Sequence, residues 1–209
     1  LALVKQLKPY DELIQEKQVY RFRELEAPVK ISRQKLAIVG YGRIGRAVAK
    51  RAAVFGFEIL AVTRHPEQYG KKENGATYVS VEEALKEADI VSNHMNQTSE
   101  NEDYFDWDKF CQMKKTAYFV NVGRGVCVSE TALARALDEG EIAGAGLDVL
   151  KGTQPDLEKT NLCHRPNVIL TPHSAFYSKE VMEFLAETPA RNVIYYFGGQ
   201  KNKISNIVC

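Results

Sequence analysis

The run Gly40-Tyr41-Gly42-Arg43-Ile44-Gly45 has the residue types and spacing of a turn that binds phosphate. Gly40 would permit a tight turn, Gly42 would let backbone N–H groups approach a pyrophosphate, and Gly45 would let a helix pack closely on the preceding strand. The apolar residues before the turn predict a buried strand, and the helical spacing of apolar residues after it predicts a helix. Because the N-terminus of a helix attracts anions, the run predicts a dinucleotide site.

The end of the second predicted strand indicates which dinucleotide is preferred. An acidic residue about 20 positions beyond the glycines commonly holds the ribose 2′-hydroxyl of NAD. Here that region reads Ala61-Val62-Thr63-Arg64-His65, without a carboxylate. Thr63 can donate a hydrogen bond to a 2′-phosphate, and Arg64 can pair with it or stack on adenine, so the sequence favours NADP. The alternative is that Arg64 is a solvated residue and that NAD binds without an acidic contact.

Polar clusters follow three further predicted strands, at residues 92–98, 121–125 and 170–175. Ligands of open α/β sheets bind at this end of the strands. Arg124 could hold a carboxylate through two hydrogen bonds, and His173 could move a proton to or from a hydroxyl or carbonyl oxygen. Beside a nicotinamide, these two groups suffice for hydride transfer on a 2-hydroxy acid. Taken singly, Arg124 could instead form a structural ion pair, and His173 could be a core histidine.

Short apolar runs alternate with amphipathic segments, which predicts a parallel, doubly wound α/β sheet of the Rossmann type. The strand candidates are Leu36 to Val39, Glu58 to Val62, Ile90 to Ser92, Ala117 to Asn121, Gly144 to Val149 and Val168 to Leu170. The helix candidates between them are Arg43 to Phe55, Val81 to Glu87, Asp106 to Met113 and Ser129 to Glu139. Helical spacing also extends from Leu1 to about Val19, and a long helix is predicted from about Lys179 to Phe197, ending at Gly198-Gly199.

Composition excludes several classes of protein. The formal net charge of +1 provides no general attraction to nucleic acid or to an anionic membrane. No apolar run reaches the roughly 20 residues of a membrane span, and no signal peptide is recognisable. The four cysteines lack the spacing of a disulfide framework or a zinc site, so we expect no metal, reduced thiols and a cytoplasmic location.

The motifs together resemble the D-isomer-specific 2-hydroxyacid dehydrogenase family over about residues 37–197. The resemblance rests on GYGRIG, the loop containing His94, Met113-Lys114, NVGRG, GAGLDV at 144–149 and TPHSAFY at 171–177. It implies a Rossmann cofactor domain inserted in a flavodoxin-like substrate domain, and a homodimer formed through the cofactor domain. The implied roles place the pyrophosphate at Arg43 and Ile44, the adenosine ribose at Thr63 and Arg64, the nicotinamide half at Asn96, Val122 and Asp148, the substrate carboxylate at Arg124, and the acid/base at His173.

The sequence departs from the family pattern in three ways. The glutamate that usually pairs with the histidine is replaced by Thr153 or Gln154, depending on the alignment, although Asp156 could take its place after a loop shift. Because the imidazolium then lacks a stabilising charge, we expect an acidic optimum for keto-acid reduction or a weakened enzyme. Asn96 stands where the family usually has proline, which should loosen the loop.

The third departure concerns length. The chain begins at Leu1, and roughly a hundred residues of a substrate domain would precede it in a complete member of the family. We therefore expect a fragment that binds nucleotide without a closed active site. Its segments would be a helix and connector at 1–34, a dinucleotide-binding domain at 35–175, and a returning helix and tail at 176–209.

These observations predict an oxidoreductase that interconverts a D-2-hydroxy acid and a 2-keto acid, with NADP preferred and NAD possible. One alternative is a nucleotide-sensing binding protein without turnover, similar to the C-terminal-binding corepressors of the same fold. The other is a structural remnant that dimerises and binds nothing.

Overall fold

A computed structural model describes residues 1–205 of the chain. Its centre is one eight-stranded sheet in the order β3-β4-β2-β1-β5-β6-β7-β8. The strands are β1 Lys35–Val39, β2 Glu58–Val62, β3 Lys72–Glu73, β4 Ala76–Val79, β5 Ile90–Asn93, β6 Tyr118–Asn121, β7 Gly144–Leu147 and β8 Val168–Leu170. Every neighbouring pair is parallel except β3 with β4, so the sheet is of the predicted doubly wound α/β class.

Residues 1–205 contain six α-helices. They are α1 Leu7–Gln15, α2 Arg43–Val54, α3 Val81–Glu87, α4 Trp107–Cys111, α5 Glu130–Asp138 and α6 Lys179–Phe197. Side-chain oxygens cap α3, α4 and α5: Ser80, Asp106 and Ser129 each accept a hydrogen bond from an amide of the first helical turn. In contrast, the residue before α2 is Gly42, which has no side chain to serve as a cap.

The direction of the chain along the sheet reverses at β1. From β1 the chain passes to β2 and β4 on one side, and then returns to β5 on the other side of β1. Such a reversal leaves a crevice at the carboxyl ends of the two strands that flank it, which is the usual ligand position in open α/β sheets. Val39 and Asn93 are partners in the β1–β5 register, so the ends of β1 and β5 meet at this crevice.

The largest buried cluster contains the aromatic side chains Phe105, Phe110 and Phe119, all of them fully buried. The ring of Phe119 meets Phe105 edge-on at 4.8 Å between centroids and Phe110 at 5.2 Å. This packing fixes the loop after β5 and helix α4 on β6, and it therefore supports the carboxyl edge of the sheet.

Sequence reasoning missed the hairpin formed by β3 and β4. Its strands pair antiparallel with Glu73 opposite Ala76, and the two-residue turn is Asn74-Gly75 with φ values of 50° and 82°. Asn-Gly favours this kind of turn because both residues adopt positive φ readily. The Asn-Gly dipeptide could have indicated the turn, but the two-residue strand β3 is too short to show an alternation of apolar and polar residues.

The first predicted helix is shorter than expected. Helical spacing extends to about Val19, whereas α1 ends at Gln15, and Gln18 has a positive φ of 54°. Pro9 lies in the first turn of α1, where its missing N–H has no helical partner to lose. At the other end of the chain, α6 covers the predicted residues Lys179–Phe197, and Ser178 Oγ accepts a hydrogen bond from the Val181 amide.

The contacts divide the chain into two units, Leu1–Pro172 and a second unit that begins at His173. The first contains the whole sheet. The second contains α6, whose apolar side chains Phe184, Leu185, Ile194 and Phe197 are all exposed. The predicted segments 1–34, 35–175 and 176–209 remain a prediction.

Membrane and cysteine features can be described for residues 1–205. None of their helices is both long and apolar enough to cross a membrane. Within the same residues Cys111, Cys127 and Cys163 are free thiols, and Cys209 lies outside them. Burial raises the pKa of the Cys127 thiol, which keeps it in the less reactive protonated form.

Replacing Phe119 by alanine should remove the centre of the aromatic cluster and lower the free energy of unfolding by about 3–5 kcal/mol. Urea unfolding followed by circular dichroism measures this value. Val54→Ala is the control, because Val54 is 85% exposed and its loss should cost no more than about 0.5 kcal/mol. Equal effects of the two substitutions would show that the Phe119 cluster does not support the sheet.

Candidate functional site

Gly40 sits where the ends of β1 and β5 meet. Its φ is 93°, and an ideal Cβ at this position would lie 2.8 Å from the His94 carbonyl carbon and 2.8 Å from the Met95 nitrogen. The His94 amide also donates a hydrogen bond to the Val39 carbonyl oxygen at 2.7 Å. A side chain at Gly40 would therefore be strained and would force the β1 turn and the β5 loop apart.

Gly42 and Gly45 differ in their surroundings. An ideal Cβ at Gly45 would lie 2.7 Å from the Gly40 carbonyl oxygen and 3.0 Å from Ile38 Cγ2, so its absence lets α2 pack closely against β1. An ideal Cβ at Gly42 meets nothing within 4 Å. The next two residues, Arg43 and Ile44, are exposed, and α2 has no side-chain cap at its N-terminus. The turn thus leaves open space in front of helix amides that an anion can occupy.

An aromatic and ionic network supports the turn from behind. Tyr41 is buried, its ring meets Tyr78 edge-on at 5.5 Å, and the Arg46 guanidinium lies over it at 4.9 Å. Arg46 also pairs with Glu73 at 2.5 Å, and the Tyr78 hydroxyl donates a hydrogen bond to the same carboxylate. The hairpin that sequence reasoning missed therefore holds α2 and the tyrosine of the glycine turn.

The end of β2 presents Thr63 and Arg64 beside the turn. The Gly40 and Tyr41 amides both donate to the Val62 carbonyl oxygen at 3.3 Å, which ties the two strand ends together. Thr63 is half-buried, whereas the Arg64 side chain is 83% exposed. Arg64 Nη1 lies 3.8 Å from Glu100 Oε2, a carboxylate of the loop after β5.

A buried asparagine pair joins the ends of β5 and β6. Asn93 and Asn121 are both fully buried, and Asn93 Nδ2 donates to Asn121 Oδ1 at 3.0 Å. Each side chain also binds the loop that follows its strand: Asn93 Oδ1 accepts from the Met95 amide, and Asn121 Oδ1 accepts from the Gly123 amide. Asn121 Nδ2 further donates to the Arg124 carbonyl oxygen at 3.1 Å. Buried amides satisfied in this way fix both loops.

Arg124 lies in a loop with little freedom. An ideal Cβ at Gly123 would be 2.9 Å from the Met95 carbonyl oxygen, and one at Gly125 would overlap the Leu150 carbonyl oxygen at 1.9 Å. The Arg124 side chain is exposed, and its Nη1 donates to the Gly123 carbonyl oxygen at 2.8 Å. Its other guanidinium donors have no hydrogen-bond partner within residues 1–205, so they can bind an anion in two-point fashion.

Asp148 follows β7 at the same edge. It is buried, its amide donates to the Asn121 carbonyl oxygen, and its Oδ1 accepts from the Thr171 hydroxyl at 2.5 Å. Val122 is half-buried beside Asn121. The first unit therefore brings Gly40, Gly42, Arg43, Ile44, Gly45, Thr63, Arg64, Val122, Arg124 and Asp148 to the carboxyl edge of its sheet.

The three candidates for the missing glutamate also belong to the first unit. Thr153 and Gln154 are exposed in the loop after β7. Asp156 Oδ2 pairs with Lys159 Nζ at 2.8 Å, and a hydrogen bond from Lys159 lowers the pKa of that carboxyl. The Asp156 carboxylate is thus engaged by a neighbour three residues away.

His94 lies in the loop after β5, at the carboxyl edge of the sheet. Its Nε2 lies 2.9 Å from Ser92 Oγ, while its Nδ1 is buried and has no hydrogen-bond partner among residues 1–205. Burial lowers the pKa of His94 from 6.5 to about 4, so the ring is neutral at pH 7. Its backbone amide holds the loop against β1, and its neutral ring contributes no positive charge to the binding of an anionic ligand.

The other predicted site residues are exposed. Asn96 lies in the loop after β5, where its carbonyl oxygen accepts a hydrogen bond from Asn101 Nδ2 at 2.8 Å. His173 opens the second unit with a φ of 53°, and its ring meets Phe176 at 5.7 Å. A positive φ is uncommon outside glycine and marks a locally constrained backbone.

Sequence reasoning did not assign a role to Asn93 and Asn121. Both stood inside the polar clusters after their strands, yet neither their burial nor their pairing can be read from one strand alone. One signal could have indicated the pair: each of the two apolar strands ends in an asparagine. A buried side-chain amide needs hydrogen-bond partners, and two such amides at neighbouring strand ends can bind each other.

Comparisons with known proteins agree with one another. The sequence model of the protein family described as "D-isomer specific 2-hydroxyacid dehydrogenase, NAD binding domain" matches residues 1–175. A glyoxylate reductase of Korarchaeum cryptofilum is 42% identical over 165 residues, which are 79% of this chain and 49% of the relative. The chain thus spans about half the length of the curated relatives that it matches.

Solved structures give the same result. A D-lactate dehydrogenase with NAD⁺ from Lactobacillus jensenii superposes with a TM-score of 0.87 at 29% identity, covering 100% of this chain and 65% of that one. An acyclic imino acid reductase in complex with NADPH and D-Arg superposes with a TM-score of 0.85 at 25% identity, covering 100% and 64%.

Asn121→Ala should lower the free energy of unfolding by about 2–4 kcal/mol, because it leaves the Asn93 amide and the Gly123 amide buried without an acceptor. Chemical denaturation measures this loss. The Asn93→Ala and Asn121→Ala double variant should lose less than the sum of the single variants, by about 0.5–3 kcal/mol. Strict additivity would mean that the two side chains do not stabilise each other.

His94 should make the protein less stable in mild acid. The unfolded chain takes up a proton near pH 6.5, whereas folded His94 does so only near pH 4, so stability falls as the pH decreases between these values. His94→Gln should remove about 2 kcal/mol of the loss seen between pH 7 and pH 5. Urea unfolding at each pH measures the effect, with the exposed His65→Gln as control. Parallel pH profiles for wild type and His94→Gln would contradict the burial of a neutral ring.

Proposed function

The chain belongs to the D-isomer-specific 2-hydroxyacid dehydrogenase family through its NAD-binding domain, and on that premise we propose that it is the cofactor-binding part of an oxidoreductase. The proposed reaction interconverts a small D-2-hydroxy acid and the corresponding 2-keto acid. The proposed cofactor is NADP, with NAD as a weaker substitute.

One observation carries the cofactor proposal: the open space at Gly42 in front of the uncapped α2. A pyrophosphate needs close backbone approach and partial positive charge, and this turn offers both. Gly40, Gly42, Arg43, Ile44 and Gly45 would hold the pyrophosphate. Asn96, Val122 and Asp148 would hold the nicotinamide half.

The preference for NADP rests on the end of β2. Thr63 and the largely exposed Arg64 stand where NAD-specific proteins place a carboxylate, and a 2′-phosphate carries nearly two negative charges. Arg64 can accept that charge, whereas a carboxylate would repel it. Among the related structures are an NAD⁺ complex and an NADPH complex, so the family fold accommodates both nucleotides.

The chemistry assigned to this chain is substrate binding and proton transfer. The bound cofactor would supply the hydride. Arg124, held by Asn121 and the flanking glycines, would bind the substrate carboxylate through its free donors. His173 would give a proton to the carbonyl oxygen in reduction and take one in oxidation.

Two further properties complete the proposal. The proposed homodimer would form through the cofactor domain. A cytoplasmic location remains a prediction from composition.

The loop after β7 favours a second candidate, a nucleotide-sensing binding protein of the same fold without turnover. Thr153 and Gln154 are neutral, and Asp156 is paired with Lys159, so none of these three positions carries an unpaired carboxylate. The enzyme is preferred because Arg124 and His173 are both present.

Gly42→Ala tests the cofactor proposal. The added methyl group has room in the free protein, so stability should change by less than about 1 kcal/mol, while NADPH affinity falls at least about tenfold. Fluorescence titration with NADPH measures the affinity. Gly140→Ala is the control: its φ of 68° makes the substitution destabilising, but it is not among the residues proposed to hold the nucleotide. Unchanged NADPH affinity in Gly42→Ala would reject the assigned cradle.

Thr153→Glu and Gln154→Glu in the full-length protein distinguish the two candidates. If the protein is a reductase, restoring a carboxylate should extend glyoxylate reduction by about one pH unit toward alkaline pH, because a carboxylate stabilises the imidazolium. The pH profile of glyoxylate reduction measures this shift and identifies which of the two substitutions produces it. NADPH binding without turnover in wild type and both variants would favour the nucleotide-sensing protein.

A further inference from the structure

The carboxylate of Glu100 lies beside Arg64, the residue proposed to bind the 2′-phosphate of the cofactor. Its Oε2 lies 3.8 Å from Arg64 Nη1, across the gap between the β5 loop and the end of β2. Both side chains are exposed, at 79% and 83%, so an incoming ligand can reach them. We propose that Glu100 is a specificity-determining residue that competes with the 2′-phosphate for Arg64 and thereby limits the preference for NADPH over NADH.

The loop that carries Glu100 is anchored at both ends. At its start, the His94 amide donates to the Val39 carbonyl oxygen at 2.7 Å. At its far end, the Asp103 amide donates to the Val126 carbonyl oxygen at 2.8 Å, and Asp103 pairs with Lys151. Between these points, the Asn101 amide donates to the Thr98 carbonyl oxygen at 3.1 Å and closes a turn that contains Glu100. The carboxylate is therefore carried by a hydrogen-bonded turn in an anchored loop.

The charges around Arg64 single out Glu100. The neighbouring carboxylate Glu67 pairs with His65, at 3.3 Å between Oε1 and Nδ1. Among residues 1–205, Glu100 is the carboxylate that forms an ion pair with Arg64. A 2′-phosphate that binds Arg64 competes with the Glu100 carboxylate for the guanidinium. The two negative groups then lie close together, and like charges at close range repel each other.

The pair is also weak enough to be displaced. An exposed ion pair contributes little to stability and is screened by salt, so it cannot exclude NADPH. NADH lacks the 2′-phosphate, so it places no negative charge at Arg64 for Glu100 to repel. Glu100 should consequently weaken NADPH binding and leave NADH binding nearly unchanged.

The test compares Glu100→Gln with Glu102→Gln in this chain by titration with NADPH and NADH. Glu102 is the matched control: it lies in the same loop, is exposed, and makes no ion pair within the described residues, and its substitution changes the net charge equally. At about 50 mM salt, Glu100→Gln should bind NADPH about 3–10-fold more tightly and NADH less than twofold differently. At about 0.5 M salt the NADPH gain should shrink.

The inference rests on the proposed contact between Arg64 and the 2′-phosphate, and a third variant separates the two claims. Arg64→Gln should weaken NADPH selectively. If it does so while Glu100→Gln gives no more gain than Glu102→Gln, the role of Glu100 is rejected and the cofactor proposal stands. If Arg64→Gln weakens neither nucleotide or both equally, the 2′-phosphate contact fails, and the role of Glu100 fails with it. An equal gain for NADH and NADPH in Glu100→Gln would also overturn the inference.

Discussion

The architecture of the site depends on one close backbone approach, at Gly40. No side chain fits between this residue and the His94–Met95 peptide, and only a positive φ turns the chain from β1 into α2 there. The approach joins the two strands at which the sheet reverses direction. Gly45 imposes a second constraint of the same kind, because a side chain there would prevent the close approach of α2 to the Gly40 carbonyl oxygen. Gly40 and Gly45 hold the turn in the conformation that leaves the space at Gly42 open.

The polar groups of the carboxyl edge extend this arrangement toward Arg124. Asn93 and Asn121 satisfy each other and the loop amides at Met95 and Gly123, and the Asn121 carbonyl oxygen then accepts from the Asp148 amide. Buried amides with several partners fix geometry because leaving any of them unpaired is costly. The neutral His94 adds backbone contacts without charge. The exposed Arg124 is thus carried on a loop that the buried Asn121 side chain holds through two hydrogen bonds.

The sequence predicted the fold class, its six main strands and the long helix α6, because apolar periodicity and glycine spacing are local signals. It missed the hairpin of β3 and β4, although Asn74-Gly75 marked the turn between them. It also missed the Asn93–Asn121 pair and the Arg64–Glu100 pair, because both join residues far apart in sequence. Arg124 and Asp148 could be placed at strand ends, but the packing of Gly125 against Leu150 that restrains the Arg124 loop is a tertiary feature.

We propose that a nucleotide binds at the Gly40–Gly45 turn, with the 2′-phosphate of NADPH at the end of β2. An NMR titration of the ¹⁵N-labelled chain with NADH and, separately, with NADPH tests this proposal directly. Both nucleotides should shift the amide resonances of Gly42, Arg43 and Ile44, and the difference between the two nucleotides should be concentrated at Thr63 and Arg64. Shifts that avoid the turn, or indistinguishable effects of the two nucleotides at Thr63 and Arg64, would contradict it.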